Sequence, residues 1–87
     1  MNEPRTFAEA VRIVTWHINH QCALRDNGIE MAEKDIAGLI RAGIKNDFEE
    51  VIYEGMWKAG AYPADIERAF ALCKAEIGNT ANPDMTL

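Results

Sequence analysis

The sequence predicts an all-α protein, a compact bundle of about four helices. Three observations predict it: apolar residues recur at intervals of three and four, helix-start and helix-stop signals alternate along the chain, and no stretch alternates apolar and polar residues as a half-buried strand does. Eighty-seven residues, 48% of them apolar, supply one core and no second, so 1–87 reads as a single small domain.

The first helix covers about 6–26. Thr6-Phe7-Ala8-Glu9 is a capping box: the Thr6 hydroxyl accepts from an orphan backbone N–H, and Glu9 reaches back to the cap. Helix therefore begins near Phe7 and runs to about Arg25, where Asn27 or Gly28 can close it in the left-handed conformation. The second covers about 30–42, with Ile29, Ala32, Ile36, Leu39, Ile40 and Gly43 on one face and Gly43 just past its end. Asn46-Asp47-Phe48-Glu49 is a second capping box and opens a third helix over about 46–59, which Gly60 ends. Pro63 suits the first turn of a fourth, about 63–77, because its missing N–H is an orphan there anyway. Ile66, Ala69, Phe70, Cys73 and Ile77 share one side of it; Gly78 terminates it, and 79–87 read as a loose tail. The short links make neighbouring helices pack back on one another.

Composition narrows function by exclusion. No apolar run is long enough to span a membrane and Met-Asn-Glu-Pro-Arg is no signal peptide, so the chain reads as cytoplasmic. Cys22 and Cys73 stand at apolar helix positions without metal-ligand spacing, as reduced buried thiols would. The net charge is −5, and residues 30–54, with seven acids and three bases, supply −4 of it.

Two helix faces are left over. At about 100° per residue the first helix sets Phe7, Val11, Val14, Ile18 and Cys22 on one face. A second stripe of Ile13, Trp16, His20 and Leu24 lies well away from it, and only Arg12, Thr15, Asn19 and Asp26 form a polar strip. Such a helix is either central to its fold or covered by a partner, so the second stripe is a candidate for self-association. On the third helix Phe48, Val51, Ile52, Gly55, Met56 and Ala59 make the core stripe, with Gly55 permitting close approach. Glu49, Glu50, Tyr53, Glu54 and Trp57 fall opposite. Burying those two rings within the domain would drag glutamates in with them, at a cost a small domain cannot carry. They are expected either to lie over the Tyr62–Pro63 turn or to anchor a partner.

Catalytic chemistry finds little support. His17 and His20 could share a metal, but no third ligand is aligned with them, so no metal and no cofactor is expected. The chain has no serine, which removes a Ser-His-Asp arrangement, and no glycine-rich phosphate loop. Glu30 and Glu33, followed by Asp47 and Glu50, loosely resemble the paired acidic motifs of all-α nucleotide pyrophosphohydrolases, a resemblance that implies magnesium-dependent hydrolysis. Both pairs also sit in helix first turns, where acids serve as caps and dipole partners. The segment joining the second and third helices could pass for a DNA-reading helix-turn-helix, but Asn-Asp-Phe-Glu-Glu would repel phosphates.

The expectation is thus a small acidic protein-binding module with no chemistry of its own, docking Glu49, Glu50, Tyr53, Glu54 and Trp57 on a basic protein partner. In its sharper form it is an inhibitor or regulator of a nucleic-acid-handling protein, of the phage or mobile-element accessory type, that touches neither nucleic acid nor membrane. A homodimer through Ile13, Trp16, His20 and Leu24 is the alternative, and the magnesium hydrolase a third.

Overall fold

A computed structural model describes residues 3–20 and 30–85, with 78–85 described by backbone alone. Four helices carry the described chain: α1 (Phe7–Asn19), α2 (Glu33–Lys45), α3 (Glu49–Ala59) and α4 (Pro63–Met85). No strand occurs among the described residues. The fold is the all-α bundle that the periodicity predicts.

The start of α1 follows from its capping box. Thr6 Oγ1 accepts from the Glu9 backbone N–H at 3.1 Å, as expected, while Glu9 Oε1 reaches one residue further back and accepts from Arg5 N–H at 2.8 Å. A long-range partner completes the end: Glu76 of α4 accepts from Phe7 N–H at 3.3 Å. Arg68 donates to the Pro4 carbonyl at 3.1 Å and so fastens the segment leading into α1 to α4. The stretch 21–26, which the sequence adds to this helix, lies outside the described residues, as do Cys22 and Leu24. Where the chain returns, Asn19 grips Met31 by both amide atoms, its Oδ1 accepting at 2.7 Å and its Nδ2 donating at 2.9 Å. That clamp sets the direction in which α2 begins.

The link between α2 and α3 departs from expectation. Asn46 caps no helix start; it is the C-cap of α2, with its N–H and its Nδ2 both donating to the Ala42 carbonyl. Asp47 takes the left-handed conformation at φ 61°, and Phe48 N–H donates back to Gly43 O at 2.8 Å, the long bond of a Schellman closure. Aspartate tolerates that backbone better than most residues, so it does here what a glycine would do. α2 is shifted by three residues at both ends from the predicted 30–42, whereas α3 starts three residues later than the predicted 46–59 and ends at Ala59 as expected. A Cβ on Gly43 would stand 2.9 Å from Ile52 Cγ1, so this glycine, inside α2, is where α2 and α3 approach closely.

Gly60 closes α3 as the sequence predicts, at φ 122°, and Ala61 N–H completes the motif on the Met56 carbonyl at 3.0 Å. Pro63 opens α4. The backbone continues helical through Gly78 to Met85, beyond the expected end at 77. A glycine inside a helix costs only ~1 kcal/mol, so without a left-handed turn it does not stop one.

The core is a single cluster. Phe7, Val11, Val14 and Ile18 of α1 meet Ile36 and Ile40 of α2, Met56 of α3, and Ile66, Ala69, Phe70 and Cys73 of α4. The described parts of the α1 and α4 stripes are those the sequence predicts, each of the four helices packs against the other three, and the most extensive of these contacts joins α1 to α4. Thr15, expected on a polar strip, is buried instead.

Candidate functional site

The rotation of α3 about its axis decides what it exposes. Only Met56 is fully buried; Ile52, Tyr53 and Ala59 are partly buried against the core. Phe48 and Val51, expected inside, are 57% and 66% exposed, and Gly55 is exposed with nothing within 4 Å of where its Cβ would be. Close approach therefore belongs to Gly43, and the expectation for Gly55 is corrected. Tyr53 has turned inward relative to the predicted stripe, and Val51 and Gly55 have turned out.

That rotation brings the polar face of α3 alongside α4. Glu49, Glu50, Tyr53, Glu54 and Trp57 all line one open groove of about 630 Å³, whose other wall is Glu67, Phe70, Ala71 and Lys74. The α4 wall is the part that sequence reasoning missed. Its signal was present, since Glu67, Ala71 and Lys74 follow one another at helical spacing beside the Phe70 stripe, but nothing local says which helix they face. Phe70, buried to 6% exposure, forms an apolar floor.

Three polar contacts organise the groove. Lys74 Nζ lies 2.8 Å from Glu49 Oε1 and ties α4 to the first turn of α3. The Tyr53 hydroxyl donates to Glu67 Oε2 at 3.5 Å. Lys58 stands 3.7 Å from Glu54 one helical turn away, in a well-solvated pair. Burial, followed by the charge of Glu67 and the hydrogen bond to it, pushes the Tyr53 phenol above its ordinary range. The result, among the described residues, is four carboxylates and a single ammonium around one half-buried and one open aromatic ring.

Trp57 is 54% exposed. The Tyr62–Pro63 turn was one expected cover for the rings, but the Tyr62 ring lies instead against His17, with centroids 4.4 Å apart. His17 in turn faces Asp65, Nε2 to Oδ2 at 3.8 Å, and meets the Trp16 ring edge-on at 5.2 Å. Trp16 stacks on His20 at 4.0 Å, and His20 Nδ1 is 2.8 Å from the Trp16 carbonyl. Trp16 is 55% exposed, His20 exposed and Ile13 partly buried, so the described part of the self-association stripe forms an aromatic ladder on the surface.

Two of the acidic residues that resemble those of the pyrophosphohydrolases line different clefts. Glu33 lines a cleft with Thr6, Val11 and Arg41, whereas Glu50 lines the α3/α4 groove. Among the described residues no three His, Cys, Asp or Glu side chains are placed to hold a metal ion. Cys73 is a free, buried thiol, pushed up by burial against the opposing pull of the Arg41 charge. No described helix is long and apolar enough to cross a membrane. Comparison with protein-family models, with curated proteins and with solved structures finds no match to this chain.

Proposed function

We propose that the protein is a small acidic binding module without catalytic chemistry, which docks a basic protein partner in the α3/α4 groove. The observation that carries this reading is the convergence of Glu49, Glu50, Glu54 and Glu67 around Tyr53, Trp57 and Phe70 in one concave surface. Aromatic rings at the centre of a polar rim are the composition of interface anchors, and like charges at the rim steer an oppositely charged partner. A basic partner is often a protein that handles nucleic acid, so the module is read as an inhibitor or regulator covering such a site, in the manner of phage accessory proteins. That last step rests on size and charge by analogy.

Affinity capture from the native cytoplasm, with mass spectrometry of the retained proteins, tests the reading. A basic protein retained by the wild type and by Trp16→Ala, but lost on Tyr53→Ala or Trp57→Ala, is the expected outcome. Retention that survives both α3 changes and is lost on Trp16→Ala would place the interface elsewhere. A second reading is favoured by the exposed Trp16–His20 stack, which offers a surface for a second copy of the chain. Recovery of the protein's own chain alone would support it.

A further inference from the structure

We infer that the occupant of the α3/α4 groove is an amphipathic helix carrying arginines on its docking face. This rests on the reading of the groove as a protein-binding site and goes on to say what element enters it and through which cation.

The form of the walls argues for a helix. On α3 the lining residues Glu50, Tyr53, Glu54 and Trp57 extend over two turns, and on α4 Glu67, Phe70 and Lys74 do the same. At 1.5 Å per residue each wall is about 10 Å long. Two ridges with three- and four-residue spacing leave between them the kind of channel that the ridge of a third helix fills. An extended segment suits it poorly. The interior backbone groups of α3 and α4 are spent on their own hydrogen bonds, so a strand laid there would find no ladder partner for its main chain. A helix arrives with its backbone already satisfied.

The chemistry of the walls argues for arginine. Lys74 is committed to Glu49 at 2.8 Å, which among the described residues leaves Glu50 and Glu67 as carboxylates with no further cation in the groove and Glu54 with an exposed lysine outside it. Trp57 presents an open ring beside them. A guanidinium can stack on that ring and at the same time fork its N–H groups onto a carboxylate, whereas an ammonium is a point charge that gains less from the flat face. Among the described residues that line the groove Lys74 supplies the only positive charge, and so it stands in for part of what the partner brings.

Anisotropy of a fluorescein-labelled synthetic peptide tests this on the full chain. The probes are a 16-residue alanine-based helix with leucines and arginines on one face, the same peptide with two central prolines, and its lysine counterpart. Saturable binding of the arginine helix is expected, about tenfold weaker for the proline-broken peptide and for Trp57→Ala, and about threefold weaker for the lysine peptide and for Glu67→Gln. Lys74→Met should tighten it, and Trp16→Ala should leave it unchanged, with far-UV circular dichroism verifying each fold. Equal affinity for the helical and proline-broken peptides, or no saturable binding of the arginine helix, overturns the inference. Equal affinity for arginine and lysine overturns the guanidinium assignment. If a native partner is captured and lost on Trp57→Ala while the peptides fail in this way, the groove remains the binding site and only the helical, arginine-bearing occupant falls.

Discussion

The ammonium of Lys74 meets the carboxylate of Glu49 at 2.8 Å, joining α4 to the first turn of α3 across the head of the candidate groove. Both side chains are substantially solvated, and an ion pair in such surroundings contributes only ~0–1 kcal/mol. The packing of Met56, Ile66 and Phe70, not this bridge, therefore holds the two helices together. Lys74→Met is expected to change the free energy of urea unfolding by less than ~1 kcal/mol while leaving the groove more acidic. A loss of several kcal/mol would mean that the bridge is structural.

Gly43 and Gly55 are expected to respond in opposite directions to alanine. At Gly43 the new methyl would sit 2.9 Å from Ile52 Cγ1, an atom close to a β-branched root that cannot swing aside. Gly43→Ala should cost ~1–3 kcal/mol by forcing α2 and α3 apart. At Gly55 there is open space and an ordinary helical backbone, so Gly55→Ala should add ~0.5–1 kcal/mol. Chemical denaturation of the two variants measures both signs in one experiment.

Thr15 offers a third measurement. Its hydroxyl is buried without a hydrogen-bond partner among the described residues, and valine has nearly the same shape. Thr15→Val should raise stability by ~1 kcal/mol, because an unsatisfied buried hydroxyl carries its desolvation cost without return. Thr15→Ser keeps the hydroxyl and loses the methyl, so it should lower the melting temperature instead. A destabilised valine variant would reveal a partner for that hydroxyl.

Alkaline pH should weaken the fold in part through Tyr53. Its phenol is held above its ordinary range by burial and by Glu67, so its folded pKa exceeds its unfolded value. That contribution is fully present below the unfolded value of about 10 and is lost as pH rises through the folded pKa. The melting temperature of the wild type relative to Tyr53→Phe should stay constant up to about pH 10 and fall above it. A difference that does not vary with alkaline pH would contradict the shift.

Much of the fold was legible because helix signals are local. Thr6, Gly60 and Pro63 act within a few residues of themselves, and they stand where the sequence places them. The buried stripes of α1 and α4 were legible too, since Val14 and Ile66 belong to continuous runs of apolar residues at helical spacing. Asn46 was misleading for an equally local reason: an asparagine followed three residues later by glutamate satisfies the pattern of a helix start, yet its amide serves the helix before it. What separates the two is the backbone that follows, where Asp47 turns left-handed and Phe48 N–H closes back on the Gly43 carbonyl.

By itself, the sequence determined the helical class, the single core and the grouping of Glu49, Glu50, Tyr53, Glu54 and Trp57 on one face of α3. Periodicity fixes the angles between residues around a helix, so these five had to travel together. The absolute rotation of α3 is not in its periodicity. Only the tertiary structure decided that Val51 and Gly55 turn to solvent, that Tyr53 leans on the core, and that Glu67, Phe70 and Lys74 supply the second wall. A short helix with apolar residues around much of its circumference can bury any of several stripes, and the surfaces of its neighbours select one.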